Sequence, residues 1–234
     1  MSLVLQKELE RLKRMILSLS AVVEESVSRS VRAVERRDLQ LAQRIIDADR
    51  AIDLTEVDIE EECLKVLALH QPVAIDLRFI AAVLKIDSDL ERIGDLAVNI
   101  AERAVFLSSK EPVPAPIDLA LMAGKVQRML RQTLDALVNM DARLAYQIGA
   151  LDDEVDELNR RNFVHIQDQI PKDLSHIDSL MQFLSVSRYL ERIADHASNI
   201  AEDVVYLVEG SIIRHKGGES QPPSSGTDPQ EPRQ

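Results

Sequence analysis

LERIGDLAVNIAE, residues 90–102, returns as LERIADHASNIAE, residues 190–202, 100 positions later and without a gap. A phrase of this length repeated in register marks an internal duplication, and the chain is therefore read as two copies of one unit. In each copy a Glu and an Asp stand four apart, Glu91 with Asp95 and Glu191 with Asp195. On a helix that spacing puts both acids on one face, about one turn apart. Two carboxylates so placed repel by roughly a few tenths of a kcal/mol unless a positive charge lies between them. A duplicated pair asks for a cation.

Around the phrase the chain reads as all-α. Aromatic residues make up 3% of it and Trp is absent, while 45% is apolar, so the core must be Leu, Ile, Val, Ala and Met, the side chains of packed helices. Leu5, Leu9, Leu12, Ile16, Leu19, Val23, Val27, Val31 and Val34 trace one stripe at spacings of three and four, which predicts a first helix over 3–36. Asp38 caps a second over 39–70, and Pro72 suits the first turn of a third over 73–107. SSKEPVPAP, 108–116, cannot be helical and divides the halves. The plan then repeats as helices over 117–140, 142–169 (capped by Asp141) and 178–209, with Gly210 as the closing cap. The expected architecture is two tandem antiparallel three-helix bundles, 1–110 and 116–212. A tail over 213–234, rich in Gly, Ser, Pro and Gln, is expected to be disordered.

The formal net charge of -12 leaves no basic surplus for displacing counterions from nucleic acid and suits metal cations or a basic partner. A single Cys, Cys63, excludes an internal disulfide. No stretch is apolar enough to span a membrane, and the charged N-terminus is no leader, so a cytoplasmic protein is expected. Arg29, Arg32, Arg36 and Arg37 cluster late in the first helix, where they favour the helix dipole or offer a docking patch.

The second helix of each half repeats the acidic oddity. Asp49 and Asp53 are four apart, as are Asp152 and Asp156, and Asp49 and Asp152 keep the 103-residue offset of the caps Asp38 and Asp141. Advancing about 100° per residue from Ile45 places Asp49, Asp53, Glu56 and Glu60 in the arc of Ile45, Ile52, Cys63 and Leu67. Carboxylates belong on the other face of an amphipathic helix. Each half thus brings two acid pairs onto neighbouring antiparallel helices, with Asn99, Glu102, Asn199, Glu202 and Glu56 as further oxygen donors. Burying unpaired carboxylates costs about several kcal/mol each, and bound metal would neutralise all four at once. An all-oxygen set fits Mg, Ca, Mn or Fe, and zinc also accepts carboxylates. His196 follows Asp195 but projects elsewhere and is read as a packing residue. Nucleophile elbows, phosphate loops and zinc motifs are missing, so no enzyme is expected.

The doubled phrase, with a matching acid pair in each preceding helix and QPVAIDLRFI at 71–80, resembles the PhoU family of phosphate-signalling regulators over 1 to about 212. The resemblance implies two similar three-helix bundles with multinuclear metal clusters, iron or zinc favoured. Their ligands would be Asp49, Asp53, Glu91, Asp95, Asp152, Asp156, Glu191 and Asp195. It implies a negative regulator of phosphate uptake and of the phosphate-starvation response. Such a protein works with the phosphate ABC transporter ATPase and a sensor histidine kinase, often as a homodimer, and meets the membrane only through partners. Asn159 stands where Glu56 does in the first half, so the two clusters would differ. Two other readings stay open. One is a carboxylate-bridged di-iron metalloenzyme, against which the missing Glu-x-x-His speaks. The other is a metal-free helical scaffold.

Overall fold

The computed structural model describes residues 3–210. Seven α-helices make two antiparallel bundles: α1 (Leu3–Arg36), α2 (Leu39–His70) and α3 (Ala74–Ser108), then α4 (Leu119–Asn139), α5 (Ala142–Tyr146), α6 (Ile148–Gln169) and α7 (Ile177–Glu209). Short 3₁₀ turns join α6 to α7. The expected tail, 213–234, lies outside the described residues.

The apolar stripes meet as the periodicity predicts. Leu12, Ile16, Leu19, Val23 and Val27 of α1 close on Ile52, Ile59 and Cys63 of α2 and on Ile80, Ile86, Leu90 and Ile93 of α3, all buried. Each fully buried Leu, Ile or Val contributes about 1.5–3 kcal/mol, so these stripes hold the helices in register.

Both first-to-second helix corners use the same chemistry. Arg37 and Met140 turn left-handed at φ 51° and 53°. This lets the next N–H, of Asp38 or Asp141, reach back to the carbonyl of Ala33 at 3.0 Å or Ala136 at 2.9 Å. The Asp38 carboxylate accepts from the N–H of Leu41 at 2.9 Å, and that of Asp141 from Arg143 and Leu144 at 2.9 and 3.1 Å. Caps of this kind are worth about 1 kcal/mol.

Three boundaries depart from the sequence reading. The third helix begins at Ala74, one residue beyond the expected start, with Pro72 outside it: Val73 is extended and Ala74 is left-handed at φ 50°. The fourth begins at Leu119, capped by the Asp118 carboxylate on the N–H of Leu121. The fifth is broken: at Gln147 the N–H bonds to Leu144 at 3.1 Å, three residues back instead of four, and the tightened turn separates α5 from α6.

The halves lie side by side. Their broadest contact is α3 against α7, the two helices that carry the repeated phrase, and α1 also meets α4. Arg37 ties the junction. Its guanidinium donates to the carbonyls of Leu107, Lys110, Glu111 and Val113 at 3.0, 3.4, 3.2 and 2.9 Å, which satisfies the end of α3 and the start of the linker. That is a specific use for a residue that the sequence placed in a general basic cluster.

Candidate metal centre

α2 packs closely on α3 at Gly94. A Cβ added at Gly94 would stand 3.3 Å from Ile52 Cγ2 and 3.9 Å from Asp49 Oδ1, so the Ile52 side chain packs directly over Gly94. Running antiparallel from that point, α2 brings Asp49 near Asp95, Asp53 and Glu56 near Glu91, and Glu56 and Glu60 near Asp87. Burial, then Asp53 and Asp95, push Asp49 up to about 6. Glu91 is raised by burial, Asp95, Glu56 and Asp53, against a lowering from Arg92.

In the second half Asp152, Asp156, Glu191 and Asp195 come together in the same way. Burial pushes Asp152 up to about 6, helped by Asp195, Asp156 and Asp153 and opposed by the Ser198 hydroxyl. Glu191 rises through burial, Asp195 and Asp156, and Asp195 through burial and Asp156. The predicted acids therefore meet as two rows, one per half.

They are not all turned inward. Asp49, Glu91, Asp95, Asp152, Asp156 and Glu191 are half-buried, whereas Asp53 and Asp195 are exposed at the rim of the groove. Arg92 leans over the first row, 3.4 Å from Glu91 and 3.5 Å from Asp95. Glu102 is exposed and paired with Arg103 at 3.0 Å. Asn199 donates to Asp89 at 3.4 Å, toward the other half and not into the row. Asn99 is half-buried. Glu202 lines a cavity of about 440 Å³ with Tyr146, Gly149, Asp152, Asp153 and Ser198.

Among the described residues no three His, Cys, Asp or Glu side chains meet in an arrangement that could hold a metal ion as they stand. The donor chemistry nevertheless fits a hard cation. Every donor is oxygen. Asp49 Oδ1 and Asp152 Oδ1 are buried without a hydrogen-bond partner, as is Ser198 Oγ beside Asp152. Orphaned acceptors of this sort cost about 1–3 kcal/mol each, and like charges with nothing between them rotate apart.

Two segments, 16–104 and 119–204, match a family model described as the PhoU domain. The chain belongs to the PhoU family. Among PhoU relatives, the phosphate-specific transport system accessory protein PhoU homolog of Aquifex aeolicus is 39% identical over 90% of this chain and 95% of its own length. The Escherichia coli K12 accessory protein PhoU is 32% identical over 91% and 88%. The crystal structure of PhoU from Pseudomonas aeruginosa superposes with a TM-score of 0.85 at 36% identity, covering 88% of this chain and 99% of that one. That of the phosphate transport system regulatory protein PhoU from Streptococcus pneumoniae does so with 0.79 at 30%, covering 89% and 98%.

Within this PhoU frame, three features escaped the sequence reading. Asp87, one turn before Glu91, extends the first acid row. Its signal in the sequence is D-x-x-x-E-x-x-x-D, which the duplication does not mark because the second copy has Ser187 there. His196, read as a packing residue, lies 2.8 Å from Asp89 and crosses from α7 to α3. Lys85 reaches the buried Asp203 at 3.1 Å across the same seam and lies over the Tyr206 ring at 5.2 Å. Contacts between halves involve residues without counterparts in the other copy, and a search for repeats is blind to them.

Proposed function

We propose that this chain is an accessory regulator of phosphate transport. In this reading it lowers uptake and phosphate-starvation signalling by protein contacts, as a cytoplasmic adaptor and not an enzyme. The observation that carries the reading is the pair of carboxylate rows, placed equivalently in two bundles of PhoU type, each with a buried oxygen that has no partner. Support for the phosphate role comes from relatives named as phosphate-specific transport accessory proteins. Among the described residues no helix is long and apolar enough to cross a membrane, so a membrane transporter would be met through protein contact. The partners that suit it are the transporter's ATPase subunit and a sensor histidine kinase, and the working form is a homodimer.

Asp49, Asp53, Glu91 and Asp95 would hold metal in the first half, and Asp152, Asp156, Glu191 and Asp195 in the second, as multinuclear clusters of iron or zinc. When bound, the metal supplies positive charge that lets the acid rows close. The chain's own part is to bring the acids of each half together and to leave the rim open.

Elemental analysis after purification without chelators tests the metal, and capture of the ATPase or kinase tests the adaptor. Iron or zinc in the wild type, with capture lost in Glu91→Ala/Asp95→Ala, is the expected result. Capture retained by that variant would remove the metal requirement. A second reading, the metal-free scaffold, is favoured by Arg92, which already bridges Glu91 and Asp95. It expects no metal in the wild type and full capture by the chelated protein.

A further inference from the structure

The two acid rows differ at one end. In the first half the row runs one turn beyond Glu91 to Asp87, which is 2% exposed and whose Oδ1 has no hydrogen-bond partner. Opposite it on α2 are Glu56, half-buried, and Glu60, exposed. In the second half the matching positions are Ser187, Asn159 and Phe163. There the space is closed by neutral bonds. Asn162 donates to Ser187 Oγ at 3.0 Å, Ser187 donates to Asn159 Oδ1 at 2.9 Å, and Met122 Sδ lies against both Asn162 and Ser187 at 3.4 and 3.3 Å. Polar groups at this position in the second half therefore satisfy one another. In the first half they are acids facing acids.

We infer that Asp87, Glu56 and Glu60, with Glu91 shared from the main row, form an additional position for a hard, oxygen-seeking divalent or trivalent cation, present in the first half only. It rests on the reading that the acid rows take cations, and it adds a site that the duplicated pairs do not supply. The burial argument is direct. A carboxylate oxygen sealed from water and given no donor is stable only with a proton or a cation on it. The other acids at that point are also acceptors, so none can supply what Asp87 lacks when all are ionised. A cation there would satisfy the buried oxygen and offset the repulsion between α2 and α3. Glu56, Glu60 and Glu91 all lie near enough to act on the Asp87 carboxylate. The mostly hard donor set suits six-coordinate ions that keep some water, such as Mn(II), better than a closed thiolate site. Asymmetric loading follows: the first half takes one ion more than the second.

The test uses the full chain, stripped with chelator and titrated with Mn(II), with unbound Mn(II) read by electron paramagnetic resonance. The expected result is that Asp87→Asn lowers the stoichiometry by one ion per chain and leaves the remaining ions unchanged. Glu60→Gln, an exposed change that leaves the core intact, keeps the proposal testable should Asp87→Asn fold poorly. It is expected to weaken the same ion by about 10–100-fold. Wild-type stoichiometry and affinity in both variants would overturn this inference while leaving the main rows standing. No Mn(II) on the wild type, with no iron or zinc on the protein as purified, would overturn the reading on which it rests.

Discussion

Replacing Asp87 by Asn should change stability in opposite directions at low and high pH. Asp87 is pushed up to about 8 by burial first, then by Glu56, Glu60 and Glu91. A carboxylate whose folded pKa is raised contributes stability below its ordinary value of 3.8 and loses it as pH rises through the folded value. The window therefore runs from pH 3.8 to about 8. At neutral pH the metal-free fold must hold a proton that the unfolded chain releases. At ~1.4 kcal/mol per pKa unit over roughly three units, that costs about 4 kcal/mol. Asn carries no such proton linkage but leaves its own amide buried, at about 1–3 kcal/mol. The net gain for Asp87→Asn near neutrality is then roughly 1–3 kcal/mol, or a rise in Tm of roughly 3–10 °C for a chain of this size. At a pH near the ordinary carboxylate value the linkage vanishes and the variant should be the less stable of the two. Thermal unfolding followed by circular dichroism, with chelator present, measures both. The curves of Tm against pH should cross. A difference independent of pH across that window would show that Asp87 does not exchange its proton on unfolding, and would refute the reasoning. Repeating the series with saturating Mn(II) should remove the variant's advantage at high pH.

Three further outcomes follow from the fold. Arg37→Ala deletes the contacts to four carbonyls at the end of α3 and the linker, and should cost about 1.5–3 kcal/mol, with faster amide exchange from residue 107 onward; an unchanged Tm would mean that the linker is held elsewhere. Gly94→Ala should cost less than about 1 kcal/mol, since Ile52 need give only a little, whereas Gly94→Leu should cost more than about 2 kcal/mol in urea unfolding because it drives α2 from α3; equal losses would undo the close-approach argument. A double-mutant cycle of Asp89→Asn and His196→Ala should give a coupling of roughly 0.5–1.5 kcal/mol, and additivity would show that the pair does not join the halves.

What could be read from the chain was whatever it says twice or says with a period. The apolar stripe of α1 is nine residues at helical spacing, and burial leaves only Leu9 of them short of the core. Asp38 and Asp141 were legible as caps because a capping Asp needs only its own next turn. Boundaries set by single backbone torsions were not legible. Ala74 turns left-handed although nothing in its side chain asks for it, and Gln147 breaks a helix whose counterpart, α2, runs straight through the equivalent place. Arg37 looked like one of four basic residues, and only the approach of the α3 end gives it four carbonyls to bind.

The same bias explains the site. Duplication pointed to Asp49, Asp53, Glu91, Asp95 and their partners in the second half because selection for matching pairs finds symmetric chemistry. It also hid Asp87, whose counterpart is Ser187. Two copies that share a fold need not share a site, because side chains at a helix interface can change in compensating sets while the backbone register stays. The second half carries such a set: Asn159, Asn162 and Ser187 bond to one another where the first half has Glu56, Ile59 and Asp87. Replacing one member of that set by its first-half counterpart would leave a buried polar group unpaired, so the neutral arrangement is held as a unit. The acids of the first half lack that mutual support. Asp87 is sealed among them, with Glu56 half-buried and Glu60 at the surface, and what its unpartnered oxygen lacks is positive charge.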